Sequence, residues 1–205
     1  MNFSLYLVTD RSLCLGRPLA DVVCSAVEGG VTMVQLREKE CSTHEMVSLA
    51  QSLKTLLAPY NVPLIINDRI DVALAVDAEG VHLGQSDMPV EIARRLIGSK
   101  RILGLSVENL DHVRDAEKLP VDYLGVSPIF ATPTKTDTAP AWGLEGLRQV
   151  RAITKRSLVA IGGINLANAK DVLDAGADGL AVVSAICSAQ DPCAASKAFQ
   201  KITKF

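Results

Sequence analysis

Short apolar runs and amphipathic stretches alternate eight times along the chain. The apolar runs fall at 5–9, 33–37, 64–67, 80–83, 102–105, 123–126, 158–161 and 179–183. They are continuously apolar, as expected of parallel strands covered on both faces. Helical patterns fall between them at 19–28, 43–58, 72–76, 90–97, 109–118, 144–153, 166–175 and 194–202. Asp87-Met88-Pro89 and Asn109 read as helix entries, and Asp87 also reads as a cap ahead of Pro89. Gly29-Gly30, Gly98 and Gly176 read as exits. Eight strand-then-helix units predict an α/β fold, a single-domain (β/α)8 TIM barrel spanning 1–205. A doubly wound open sheet is the alternative, but its glycine-rich fingerprint is missing after the first strand, which ends Val8-Thr9-Asp10-Arg11.

Composition narrows the classes. Hydrophobic residues make up 48% of 205, which excludes a disordered chain. The net charge of −2, without a long charge run, gives no sign of a nucleic-acid or membrane partner. No apolar run approaches the roughly 18 residues of a membrane span. The N-terminus lacks signal-peptide architecture, and the five cysteines form no C-x-x-C pair. Reduced thiols and a cytoplasmic location are the expectation.

Candidate chemistry collects where strands end, which in a barrel is the active face. After strand 2, alternation puts Gln35, Arg37 and Lys39 on one side, a receptor for a pyrophosphate-like anion. Arg37 paired with Glu38 or a neighbouring acid at a solvated strand end is the plainer alternative. Asp68 after strand 3 and Asp87 after strand 4 fall in adjacent units and could share a divalent ion. His44, His82 and His112 lack zinc-ligand spacing, and His82, mid-strand, reads as a packed, hydrogen-bonded residue. Gly162-Gly163 after strand 7 and Ser184 after strand 8 suit a phosphate cradle. The long stretch 125–143 after strand 6 carries Thr132, Thr134, Thr136, Thr138 and Lys135, donors suited to an anionic, oxygen-rich ligand. Trp142 at its end either reports closure of that loop or packs on the barrel rim. No cysteine or serine has an obvious base near it in sequence, and no G-x-S-x-G elbow occurs.

Seven motifs in register, Q-L-R-E-K at 35–39, N-D-R at 67–69, H-L-G-Q-S-D at 82–87, G-L-S at 104–106, T-P-T-K at 132–135, I-G-G-I at 161–164 and V-S at 183–184, resemble the thiamine-phosphate synthase family. The resemblance implies transfer of a pyrimidinylmethyl group from its diphosphate to a thiazole phosphate, with Mg2+ as cofactor. It implies that Gln35, Arg37, Lys39, Asn67, Ser106 and Lys135 bind the pyrimidine diphosphate, and that Asp68 and Asp87 hold Mg2+. It places Thr132, Thr134, Gly163, Val183 and Ser184 on the thiazole phosphate, and counts Leu36, Glu38 and Pro133 among the substrate-contacting positions. Arg37, Lys39, Lys135 and Ser106 would carry the catalysis.

The partners so implied are two small molecules, and a homo-oligomer is possible. A thiazole-phosphate tautomerase would keep the phosphate cradle without Arg37, Lys39, Asp68 and Asp87. A Schiff-base aldolase would need a lysine inside the barrel. A regulatory barrel would bind without turnover.

Overall fold

The computed structural model describes residues 1–132 and 140–203. Eight parallel strands close into one barrel in chain order: β1 (Leu5–Val8), β2 (Met33–Leu36), β3 (Leu64–Asn67), β4 (Gly80–Leu83), β5 (Ile102–Val107), β6 (Tyr123–Val126), β7 (Ser157–Ile161) and β8 (Gly179–Val182). Closure is made by β1 on β8, with Leu5 beside Leu180 and Leu7 beside Val182. Around the barrel run α1 (Leu19–Glu28), α2 (Thr43–Leu57), α3 (Ile70–Ala75), α4 (Val90–Ile97), α5 (Leu110–Ala116), α6 (Gly143–Ile153), α7 (Ala169–Asp174), α8 (Ser184–Cys187) and α9 (Pro192–Thr203). The barrel is the one expected from the alternating pattern.

Strand periodicity of two separates two cores. Leu5, Leu7, Val34, Leu36, Leu64 and Ile66 face the helices. Tyr6, Val8, Met33, Ile65, Tyr123 and Val159 face inward and fill the barrel with Phe3. The phenol of Tyr123 packs against Phe3, with centroids 4.9 Å apart, and edge-on to Tyr6 at 6.0 Å. These rings plug the barrel below the strand ends and leave the C-terminal mouth open.

The opposite face has its own repeated device. Thr32, Glu79, Asp122 and Asp178 each stand just before an even-numbered strand. Each offers a side-chain oxygen to a backbone N–H at the start of the preceding odd strand, that of Leu5, Leu64, Leu103 or Leu158, at 2.8–3.1 Å. Arg94 and Arg151 pair with Asp122 and Asp178 at 2.7 and 3.0 Å. The same arginines take up carbonyls in the loops that lead from helix to strand, such as Pro120 and Arg101 for Arg94.

Element ends depart from the sequence pattern for local reasons. The segment 166–168 is not helical, because Asn165 and Asn168 fold into side-chain turns: the Asn168 Oδ1 accepts from Asn165 N and the Asn165 Oδ1 from Ala167 N. α9 starts earlier than its apolar pattern, with Pro192 at its first position and the Asp191 carboxylate accepting from Ala194 N at 2.9 Å. α8 is an added turn where the pattern shows only a loop. Asn109 caps α5 as expected, its Oδ1 accepting from His112 N at 2.8 Å. Asp87 does not cap α4: its carboxylate folds back onto Gly84 N at 2.6 Å, leaving Pro89 at the cap.

Candidate active site

The mouth of the barrel holds a two-part cavity. The polar part, of about 400 Å³, is bounded by the exits of β2 to β5. Gln35, Arg37 and Lys39 line it from β2, as alternation required. Asn67, Asp68, Asp87, Ser106 and Glu108 line it from the neighbouring exits. The second part, of about 380 Å³, is more apolar and lies against the exits of β7 and β8, where Gly162, Gly163, Val183 and Ser184 form the wall beside Thr132. Val8, Arg37, Ser127, Ile161 and Ala181 border both parts.

Local backbone conformation aims these groups. Thr9 is buried and its Oγ1 accepts from Arg37 N at 3.1 Å, which fixes the chain where β2 ends. Asp68 takes a left-handed φ of +62°, turning its carboxylate off the β3 line towards Asp87. Gly163, at φ +65°, lies so close to the β6 exit that a Cβ would sit 2.8 Å from Phe130 Cβ. Ile129 and Phe130 continue pairing beyond β6, donating to the carbonyls of Ile161 and Gly162. The base of the long loop is pinned by Trp142, whose backbone N–H donates to the Pro128 carbonyl and whose Nε1 donates to Ser127 O. Trp142 thus packs on the rim. Pro133, Thr134, Lys135, Thr136 and Thr138 lie outside the described residues.

Electrostatics sort the polar part. Burial, and then the neighbouring Asp87, push the Asp68 carboxyl up to about 6, against a smaller opposing pull from Arg37. Glu38 is not Arg37's partner: Arg11 Nε holds it at 2.7 Å, and burial raises its carboxyl. The side chains of Leu36 and Glu38 are not brought into the cavity; Leu36 belongs to the helix-facing core. Among the described residues no cluster of three or more His, Cys, Asp or Glu gathers to hold a metal. Asp68 and Asp87 would hold a cation as a carboxylate pair whose shell is completed by further oxygens, the usual manner for Mg2+. Two close carboxylates, one of them raised, fit such an ion.

Sequence reading missed Tyr6, Tyr123 and Glu108 as parts of the cavity wall. A phenol at an inward position of an apolar strand was the available signal for the first two. His82 is hydrogen-bonded and packed, as expected, with its Nε2 2.9 Å from Ser106 Oγ and its ring stacked on Tyr123 at 5.5 Å.

A closed β/α barrel with charged groups drawn to one end and a two-part cavity between them is built as a barrel enzyme. The sequence matches the family described as thiamine monophosphate synthase over residues 5–186. A thiamine-phosphate synthase of Albidiferax ferrireducens is 67% identical over 192 residues, covering 94% of this chain and 88% of the relative. One from Syntrophomonas wolfei is 56% identical over 190 residues, covering 93% and 91%. The solved thiamine phosphate pyrophosphorylase from Pyrococcus furiosus superposes with a TM-score of 0.90 at 43% identity, over 98% of this chain and 96% of that one. A 3-hexulose-6-phosphate synthase shares the fold alone, with a TM-score of 0.73 at 17% identity over 97% and 99% of the two chains. The chain belongs to the thiamine monophosphate synthase family, and it is a transferase of thiamine biosynthesis. Among the described residues no helix is long and apolar enough to cross a membrane.

Proposed function

We propose that the enzyme joins 4-amino-2-methyl-5-pyrimidinylmethyl diphosphate to 4-methyl-5-(2-phosphoethyl)thiazole, releasing pyrophosphate and thiamine monophosphate. The observation that carries this reading is the pairing of two unlike compartments across one shared wall. The polar part suits a diphosphate ester, and the apolar part suits a thiazole with its phosphate against Gly163, Val183 and Ser184.

The bond that breaks joins the pyrimidine methylene to the diphosphate oxygen, and the electron pair leaves with pyrophosphate. The bond that forms takes the lone pair of the thiazole nitrogen to the same carbon. No proton is lost at either atom, so no general base is required. An amino-substituted pyrimidine can delocalise positive charge at its methylene, which favours a dissociative path. Arg37 and Lys39 stabilise the charge growing on the leaving oxygens, and the family resemblance gives Lys135, which lies outside the described residues, the same role. Asn67 and Ser106 hold the pyrimidine substrate in place. Asp68 and Asp87 would hold Mg2+, which supplies further neutralisation of the diphosphate when bound.

Incubation of the enzyme with both substrates, with Mg2+ and then with EDTA, tests the reading. Thiamine monophosphate that forms with Mg2+ and fails to form with EDTA is expected. Absence of product under both conditions, while the thiazole phosphate still binds, overturns it.

A further inference from the structure

A buried hydrogen-bonded chain lies beneath the polar part of the cavity, and the reaction described above uses only its Ser106 end. Gln35 Nε2 donates to Tyr6 Oη at 2.8 Å. Tyr6 Oη lies 3.0 Å from Tyr123 Oη, which lies 2.8 Å from His82 Nδ1. His82 Nε2 then lies 2.9 Å from Ser106 Oγ. Side chains from β2, β1, β6, β4 and β5 in turn thus join the two cavity-facing groups, Gln35 and Ser106, by one path under the site.

The fold makes room for this path. A Cβ on Gly104 would sit 2.2 Å from Tyr123 Cζ and 2.5 Å from His82 Nδ1, and one on Gly125 would sit 3.0 Å from His82 Cε1. Glycine inside a strand weakens it and often marks the close approach of another group. Here two such glycines open the space that the phenol and imidazole occupy.

Counting hydrogens gives the path a direction. Burial pushes both tyrosine phenols up, so each stays neutral and carries one hydrogen. The Gln35 amide nitrogen only donates, so the Tyr6 hydrogen goes to Tyr123 and the Tyr123 hydrogen to His82 Nδ1. His82 then carries its own hydrogen on Nε2 and gives it to Ser106 Oγ. The Ser106 hydroxyl hydrogen is left for the cavity, and so is the Gln35 amide oxygen. Arg37 and Lys39 line the same compartment from Gln35's own strand, and they favour the oxygen end of that amide dipole facing them. With the opposite direction, the Gln35 NH2 would face those cations and Ser106 would show only lone pairs to an anionic ligand.

We propose that Tyr6 and Tyr123 are positioning residues that hold His82 in its Nε2–H tautomer, which makes Ser106 a hydrogen-bond donor and Gln35 an acceptor toward the pyrimidine-bearing substrate. The substrate half of this statement rests on the function proposed above, whereas the tautomer does not.

Nitrogen NMR of substrate-free protein labelled at histidine tests it, with His82 assigned through its loss in His82→Gln. Wild type should show a pyridine-type Nδ1 and a pyrrole-type Nε2. Tyr123→Phe removes the hydrogen given to Nδ1 and should shift His82 toward the Nδ1–H form. Tyr6→Phe leaves Tyr123 its own hydrogen and should keep the tautomer, a contrast that a merely structural role would not produce. Tyr123→Phe should also lower kcat/KM for the pyrimidine diphosphate by on the order of tenfold, with the KM for the thiazole phosphate unchanged. A protonated Nδ1 in wild type, as the other tautomer or as imidazolium, overturns the proposal without any variant having to fold. An unaltered tautomer in folded Tyr123→Phe also overturns it. The expected tautomer in a wild-type enzyme that forms no thiamine monophosphate would refute the substrate reading and leave the positioning chain standing.

Discussion

Asp68 combines a left-handed backbone, a buried carboxyl and a second carboxylate beside it. Each of these costs stability, and residues held this way collect at functional sites. Its pKa is raised from 3.8 to about 6, so the folded state binds the proton more tightly than the unfolded state does. The stability this group contributes is therefore fully present below its unfolded value of 3.8 and is lost as pH rises through about 6. In EDTA, Asp68→Asn should be more stable than wild type near neutral pH. That advantage should shrink as pH falls from about 6 towards 3.8, and it should be level above about pH 7. Thermal melts of both proteins across this range check it; an advantage independent of pH would refute it. This residue was legible in sequence because a carboxylate directly after an apolar strand stands out. Tyr6 and Tyr123 were not. They lie 117 residues apart and meet only across the closed barrel, so no local period joins them, and each alone reads as a core aromatic.

At the scale of elements, the two ends of the strands have divided tasks. The C-terminal ends carry the charged groups of the cavity, and the N-terminal ends carry the side-chain clamps from Thr32, Glu79, Asp122 and Asp178. Asp122→Ala would leave Leu103 N and Arg94 without this acceptor. It should cost about 1–3 kcal/mol of stability, the usual penalty for a stranded buried partner. Its kcat/KM should stay at the wild-type value, because the change is at the far end of the barrel from the cavity. Urea midpoints and steady-state rates on the same preparation separate the two effects, and a rate loss without a stability loss would refute the division. The strands themselves were legible because parallel barrel strands are buried on both faces and so read as unbroken apolar runs. Their clamps were not, since an acid or a threonine ahead of a strand looks like any loop residue until its neighbouring strand is known. The side-chain turns of Asn165 and Asn168, which shorten α7, escaped notice because apolar spacing alone runs through them.

Across the whole molecule, the two cavity parts are not separate rooms. Val8, Arg37, Ser127, Ile161 and Ala181 belong to both, so a molecule made by joining the occupants of the two parts fills both at once. Its halves are tethered, and each raises the local concentration of the other at its own wall, so the joined molecule is held more firmly than either piece. Thiamine monophosphate should accordingly compete with the pyrimidine diphosphate and with the thiazole phosphate alike, raising the apparent KM of whichever is varied while the other is kept below saturation. A pattern competitive with one substrate and indifferent to the other would show that product vacates one part before the next cycle. With the shared wall intact, the barrel can accept a new pair only after the finished molecule has left both parts.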